Sequence, residues 1–432
     1  MKQWAFTLII CLSAASLRAY GPDYLDDNQP PGDQAATLPT PFTPELVAGP
    51  EMKFFTSTNL AACPFIRDAA FNLNPELYYR SVWNGAGHNE MFAGGGSLGF
   101  DTGWWGDTLQ LGTAGYTSLP IASNQTGKDS TGLVAADGNG LVTLGEAWAK
   151  LKIGPATATV FRQRLDLPFI HDENIRIIPQ TFEAYQVQVA ATDNWQFNLG
   201  YVSRIKELND ENFIPMSAAA GAPQVDRGTS FAGFTLGSEK TTYLAAIDET
   251  TLDLFNSAYV QAGHTWSVTT NLDLRGDLQF CDQRSVGAQD IGDFETQMYG
   301  AQLAASCSGA VLSAAYTQTA DSASIASPYG SSPSFSGLMI NDFDLAGERA
   351  GSVGLSYNFA RVGLDGVSAF SNCSYGNLPD GWQREFNATI DYRIKHGIFK
   401  NLWFRTRYAQ VDQSGQTTMN DFRIIVNYTA TF

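Results

Sequence analysis

Arg405 and Arg407 stand two positions apart in Leu402-Trp403-Phe404-Arg405-Thr406-Arg407-Tyr408. If that segment is a β-strand, successive side chains point to opposite faces, so both guanidinium groups project from the face opposite Leu402, Phe404 and Tyr408, about 7 Å apart. A guanidinium stays charged and grips a carboxylate with two parallel hydrogen bonds, so stacked arginines form a ladder along which an anion can be passed. Arg80, in Tyr78-Tyr79-Arg80-Ser81-Val82, joins that ladder if the first and last strands meet in a closed sheet, and Arg349 is placed with it. Asp342 and Asp344 are expected to face the ladder across the narrowest part. The bland alternative is ordinary ion pairing across a wall. At a membrane midplane a lipid-facing arginine costs about 2–4 kcal/mol, so the water-facing assignment is also the less costly one.

Other chemical motifs dissolve on inspection. Gly95-Gly96-Ser97-Leu98-Gly99 satisfies a nucleophile-elbow pattern, but Phe100-Asp101-Thr102-Gly103-Trp104 follows with no helical period, so a glycine-rich strand is expected instead. His88, His171, His264 and His396 lack both the helical spacing of a zinc protease and cysteine partners, and read as polar loop or rim residues. Asp342 and Asp344 resemble a glycosidase acid/base pair only in being two carboxylates. No enzyme activity, cofactor or metal is expected. Cys63, Cys281, Cys307 and Cys373 are far apart and show no Cys-x-x-Cys spacing, so neither a disulfide framework nor a zinc ribbon is indicated.

The elements that must position these residues follow from alternation. Phe422, Ile424, Val426, Tyr428, Ala430 and Phe432 oppose Arg423, Asn427, Thr429 and Thr431, interrupted only by Ile425. Phe386 to Ile394 and Leu402 to Tyr408 repeat the pattern near the end, as do Trp195 to Tyr201 and Leu272 to Phe280 mid-chain. A soluble sandwich turns its apolar face inward; a membrane barrel turns it to lipid and lines a wet lumen with the polar one. Three features favour the all-β transmembrane antiparallel barrel. Aromatics collect at strand ends, charges of both signs sit at mid-strand, and the chain stops on Phe432 within an alternating strand. About 9–11 residues per tilted strand plus connections gives 16 to 18 strands from Glu76 onward. The rival is a secreted, soluble β-rich adhesin or surface-layer protein.

Composition agrees. Charged residues are 16%, below the ~25% of soluble domains. The net charge of −17, or −19 without Lys2 and Arg18 of the leader, argues against a phosphate-neutralising nucleic-acid binder. Beyond the leader no apolar run approaches the ~18 residues of a spanning helix. Residues 1–19 read as an export signal, with Lys2, an apolar Trp4 to Leu12 core and Ala19 before the cut. Cys11 makes only a faint lipoprotein box, because Ile10 is bulky where a small residue is required. Residues 20–70 form a proline-rich acidic segment, since eight of the 18 prolines lie between Tyr20 and Pro64. Residues 71–432 are the barrel.

From Ala149 onward the sequence resembles the OprD family of outer-membrane porins. The match is carried by Phe161-Arg162-Gln163-Arg164-Leu165-Asp166-Leu167-Pro168 and Arg176-Ile177-Ile178-Pro179-Gln180-Thr181-Phe182-Glu183-Ala184-Tyr185, then by Phe255 to Tyr259, Asn341 to Ala350, Phe404 to Arg407 and Asn420 to Val426. The resemblance implies an 18-stranded barrel with its own pore, passing small carboxylates, amino acids or short peptides, and a constriction loop carrying Asp166, Arg176, Pro179, Gln180 and Thr181. That loop, between two alternating strands, is expected to fold into the lumen. One departure is noted: where the family often has a lumen arginine in the third strand from the end, register from Asp365-Gly366 puts Asn372. The expected setting is the outer membrane of a Gram-negative-type bacterium. Expected partners are its lipid, small anionic or zwitterionic solutes and the barrel-assembly machinery through the strand ending at Phe432; nucleic acid is not one. A monomer or a trimer is expected.

Overall fold

The structure, a computed structural model, describes residues 63–432 apart from Asp193 and Glu239. The leader and nearly all of the proline-rich segment lie outside the described residues. Twenty strands join one sheet whose pairings are all antiparallel; Phe213–Pro215 and Ala430–Thr431 are short, leaving 18 that build the wall. The first six are β1 (Ala70–Asn84), β2 (Gly87–Asp101), β3 (Leu109–Ser123), β4 (Leu141–Ile153), β5 (Ala156–Gln163) and β6 (Thr181–Thr192). The next six are β7 (Trp195–Lys206), β8 (Thr229–Gly237), β9 (Thr242–Thr251), β10 (Phe255–Thr269), β11 (Leu272–Ser285) and β12 (Glu295–Cys307). The last six are β13 (Ala310–Thr319), β14 (Arg349–Asn358), β15 (Val367–Leu378), β16 (Gly381–Arg393), β17 (Leu402–Gln413) and β18 (Met419–Tyr428).

The sheet closes where β1 pairs with β18, Glu76 opposite Asn427 through Trp83 opposite Asn420. Phe432 extends the seam by exchanging both backbone hydrogen bonds with Phe71. Closure leaves no row of unpaired amides, which hydrocarbon penalises by several kcal/mol per group. The four longest connections, 124–140, 164–180, 207–228 and 320–348, all lie at the end opposite the two chain termini. Short turns at one mouth and long loops at the other are the asymmetry of bacterial outer-membrane barrels.

Burial along the strands is inverted relative to a soluble protein. Leu278, Leu303, Ile390 and Val353 are exposed, whereas their neighbours Gln279, Gln302, Asp391 and Ser352 are buried. Alternation therefore sends the apolar face outward, which a soluble sandwich cannot do without exposing its core. Outward aromatics stack near both ends of the wall, as Tyr375 on Trp382 and Tyr392 on Phe404 do, at the levels where rings bridge lipid and water. The glycine run lies inside β2, not at an elbow: Gly96 adopts φ +121° directly opposite Pro75, where a Cβ would strike the Asn74 carbonyl.

Candidate functional site

The inward loop begins at Arg164, whose guanidinium pairs with the Asp172 carboxylate, and returns through Gln180, whose amide donates to the Asp172 carbonyl. Asp166 bridges to His171 at its turn. Leu165, Leu167, Phe169 and Ile170 bury themselves against inward residues of β6 to β12, among them Phe182, Val202, Phe231, Ile247, Tyr259, Cys281 and Met298. On the other side of the lumen, Ile177 and Ile178 pack on Tyr78, Met91, Ala93 and Ile425. The loop thus crosses the barrel from β9, where the Phe169 amide meets Glu249 Oε1 at 3.4 Å, to β1, where Tyr78 donates to the Ile175 carbonyl at 3.4 Å. This explains Ile425, the residue that breaks the alternation of β18: it points into the lumen because an apolar loop is there to receive it.

A second loop, 320–348, folds in beside the first. Ile170 and Tyr329 form a parallel bridge, the His171 amide donates to the Tyr329 carbonyl, and the His171 ring meets the Ser331 carbonyl at 3.1 Å. His171 is therefore a buried joint between two loops and not a rim residue. This apolar packing occupies part of the lumen, where alternation alone implies a wet interior throughout. Gly376 of β15 lets the loop approach the wall, since a Cβ there would collide with Glu348 Oε1.

The opposite wall is basic. Register sets Arg80 beside Arg423 and Arg423 beside Arg407, so three arginines from β1, β18 and β17 occupy one level on the inner face. Arg405 lies one inward step away, its Nε donating to Asp391 Oδ1 at 2.7 Å and its guanidinium 4.5 Å from the Trp403 ring. Asp421 neutralises part of the row, accepting from Arg80 at 2.5 Å and from Arg423 at 3.1 Å. Arg80 also donates to the Thr131 carbonyl of the 124–140 connection. Arg393, buried at the far end of β16, continues the same face toward the terminal mouth. Neither Arg423 nor Arg393 was among the expected ladder residues, though the alternation of their strands already put both on the polar face.

Arg176 of the inward loop leans toward this row; burial, with Arg80 and Arg423 nearby, pushes its pKa down to about 10. Between the row and the two loops lies a cavity of about 300 Å³, lined by Arg407, Gln180, Glu173, Asp342, Ile175 and Leu338 among others. Three of the expected residues, Arg407, Asp342 and Gln180, line it. Glu173 joins them unexpectedly. Asp344 is set back, buried within its loop, and Pro179 and Thr181 are buried at the root of theirs. Arg349 is a correction: it is exposed and shares the outward parity of Val353 and Leu355 on β14, so it stands apart from the basic row. Asn372 faces inward and is buried, but β15 is the fourth strand from the end, not the third. No cluster of three metal-binding side chains occurs among the described residues.

A family model described as outer membrane porin, OprD family, matches residues 65–432. Among solved structures, OpdK of Pseudomonas aeruginosa, determined with vanillate, superposes with a TM-score of 0.77 at 19% identity, covering 85% of this chain and 100% of its own. OpdG of the same organism gives 0.78 at 21% identity, with the same coverage of 85% and 100%. OccAB2 of Acinetobacter baumannii gives 0.77 at 19%, covering 85% of this chain and 99% of its own. No curated protein matches the chain.

Proposed function

The chain belongs to the OprD family of outer membrane porins, and from that premise we propose that it passes small carboxylate-bearing solutes along the basic wall formed by Arg80, Arg423, Arg407 and Arg405. As a member of that family it is an outer-membrane channel for small hydrophilic molecules and not a secreted adhesin. The observation that carries the finer reading is the register of the seam, which lines up arginines of three adjacent strands, together with the cavity that one of them, Arg407, lines with Glu173 and Asp342. In a low-dielectric constriction, opposed charges a few ångströms apart orient a dipolar solute and penalise a neutral one that cannot use them.

A carboxylate meets the arginine side and an ammonium, if present, Glu173, so amino acids and small organic acids fit better than sugars. Vanillate, the solute seen with OpdK, is a small aromatic carboxylate and falls within that class. The strong negative charge of the whole chain lies mostly elsewhere and draws cations to the mouths, so bulk current is cation-selective even while carboxylates are the solutes handled. The strand ending at Phe432 serves barrel assembly. The test is uptake into proteoliposomes: exchanging Arg405 and Arg407 together for Gln should slow a small carboxylate and leave a neutral sugar nearly unchanged. Equal losses for both solutes, or none, would make these arginines plain wall ion pairs.

A further inference from the structure

Glu385 stands on the inner face of β16 with no exposed surface. Its two carboxylate oxygens accept from consecutive amides of the 320–348 loop: Ile340 N–H to Oε1 at 3.0 Å and Asn341 N–H to Oε2 at 2.8 Å. An ionised acceptor spanning two adjacent amides is among the stronger hydrogen-bond arrangements, and it fixes the orientation of a peptide as well as its position. Leu338 and Asp342 flank those amides, and both line the cavity that Arg407 closes from the wall. The loop is also gripped at Ser336, whose carbonyl accepts from Ser374 at 2.8 Å, and at Glu348, which accepts from Gln383 at 2.7 Å. Those grips hold its flanks, whereas Glu385 holds the turn that projects into the passage.

We propose that Glu385 is a positioning residue that clamps the 338–342 turn to the wall and thereby sets the width and steadiness of the channel at Arg407. This rests on the reading of the cavity as the solute path. A turn released from β16 keeps its flanking anchors but gains freedom at the point where it faces the basic row, so the opening both widens and fluctuates.

Planar-bilayer recordings of the folded porin test this. E385Q leaves one acceptor where two amides need one each, and turns an amide donor toward one of them. Its open-channel conductance should rise about twofold with added current noise, and the rise should persist in high salt, which screens fixed charges. Asn341→Pro removes one donor from the loop side while the Glu385 charge stays, and should reproduce the noise. E385D keeps both acceptor oxygens on a shorter arm and should return the current toward wild-type steadiness. Unchanged conductance and noise in folded E385Q would overturn the clamp, as would a rise that vanishes in high salt, because Glu385 would then act only as a fixed charge. If E385Q fails to fold, a quiet, wild-type current through Asn341→Pro overturns it alone. Arg407→Gln recorded alongside separates the two readings. A shifted reversal potential there, with silent Glu385 and Asn341 variants, sinks the clamp and keeps the path; no change in any variant sinks both.

Discussion

At the scale of single residues, the inner wall is a set of buried charges that neutralise one another unevenly. Asp391 accepts from both Arg405 and Trp403, and all three are buried. Removing one partner of such a pair strands the other charge, at a typical cost of about 3–5 kcal/mol. Asp391→Asn should therefore lower the temperature at which the barrel loses its compact, fast-migrating form on unboiled SDS gels. It should also shift the reversal potential toward anions, opposite in sign to Arg407→Gln. A variant with wild-type heat behaviour and selectivity would show that Arg405 does not depend on Asp391. Arg405 and Arg407 were legible from spacing alone, because a strand leaves no freedom about which face they occupy. Arg423 was equally legible on β18. Arg349 was legible too, and on the other face: Val353 and Leu355, four and six positions on, already mark its parity as the apolar, outward one, and its pairing with Gln318 keeps that phase.

At the scale of elements, the two inward loops define the passage. Deleting Phe169 to Ile175 should raise conductance several-fold, and because Phe169 and Ile170 are also core, the barrel should melt at lower temperature. Unchanged conductance in a folded deletion would place the constriction elsewhere. The 320–348 loop should make the channel sensitive to pH. Burial pushes the Asp344 carboxyl up to about 7, and burial together with Asp344 and Glu173 holds Asp342 well above the usual carboxylate range. A raised carboxyl is neutral below its pKa and charged above it, so the loop is most stable at low pH and gains negative charge as pH rises through about 7. The cation preference of the current should increase over that window, and Asp344→Asn should flatten the increase. That the 164–180 loop turns inward was expected from the family resemblance and from its two prolines and mixed charges between alternating strands. Its apolar docking was hidden, because Tyr259, Cys281 and Met298 stand on the inner face of strands that otherwise follow the polar-in rule.

At the scale of the whole molecule, inverted burial, closure of β1 on β18 and the family match describe one object: an outer-membrane barrel with an asymmetric lumen. Period-two alternation made the barrel legible, since it constrains every strand in the same way. It could not reveal how loops divide the interior, because that depends on contacts between segments more than a hundred residues apart, such as His171 with Ser331. The apolar side anchors the loops, and the basic side is the one the proposed solute path uses. The reversal potential across a salt gradient, compared between wild type and Arg407→Gln in folded single channels, measures this division directly. Loss of that one cavity-facing charge should move the reversal potential toward cations and slow carboxylate permeation, with the barrel still heat-modifiable. An unchanged reversal potential and carboxylate flux would mean that solutes pass somewhere other than between the arginine row and the loops.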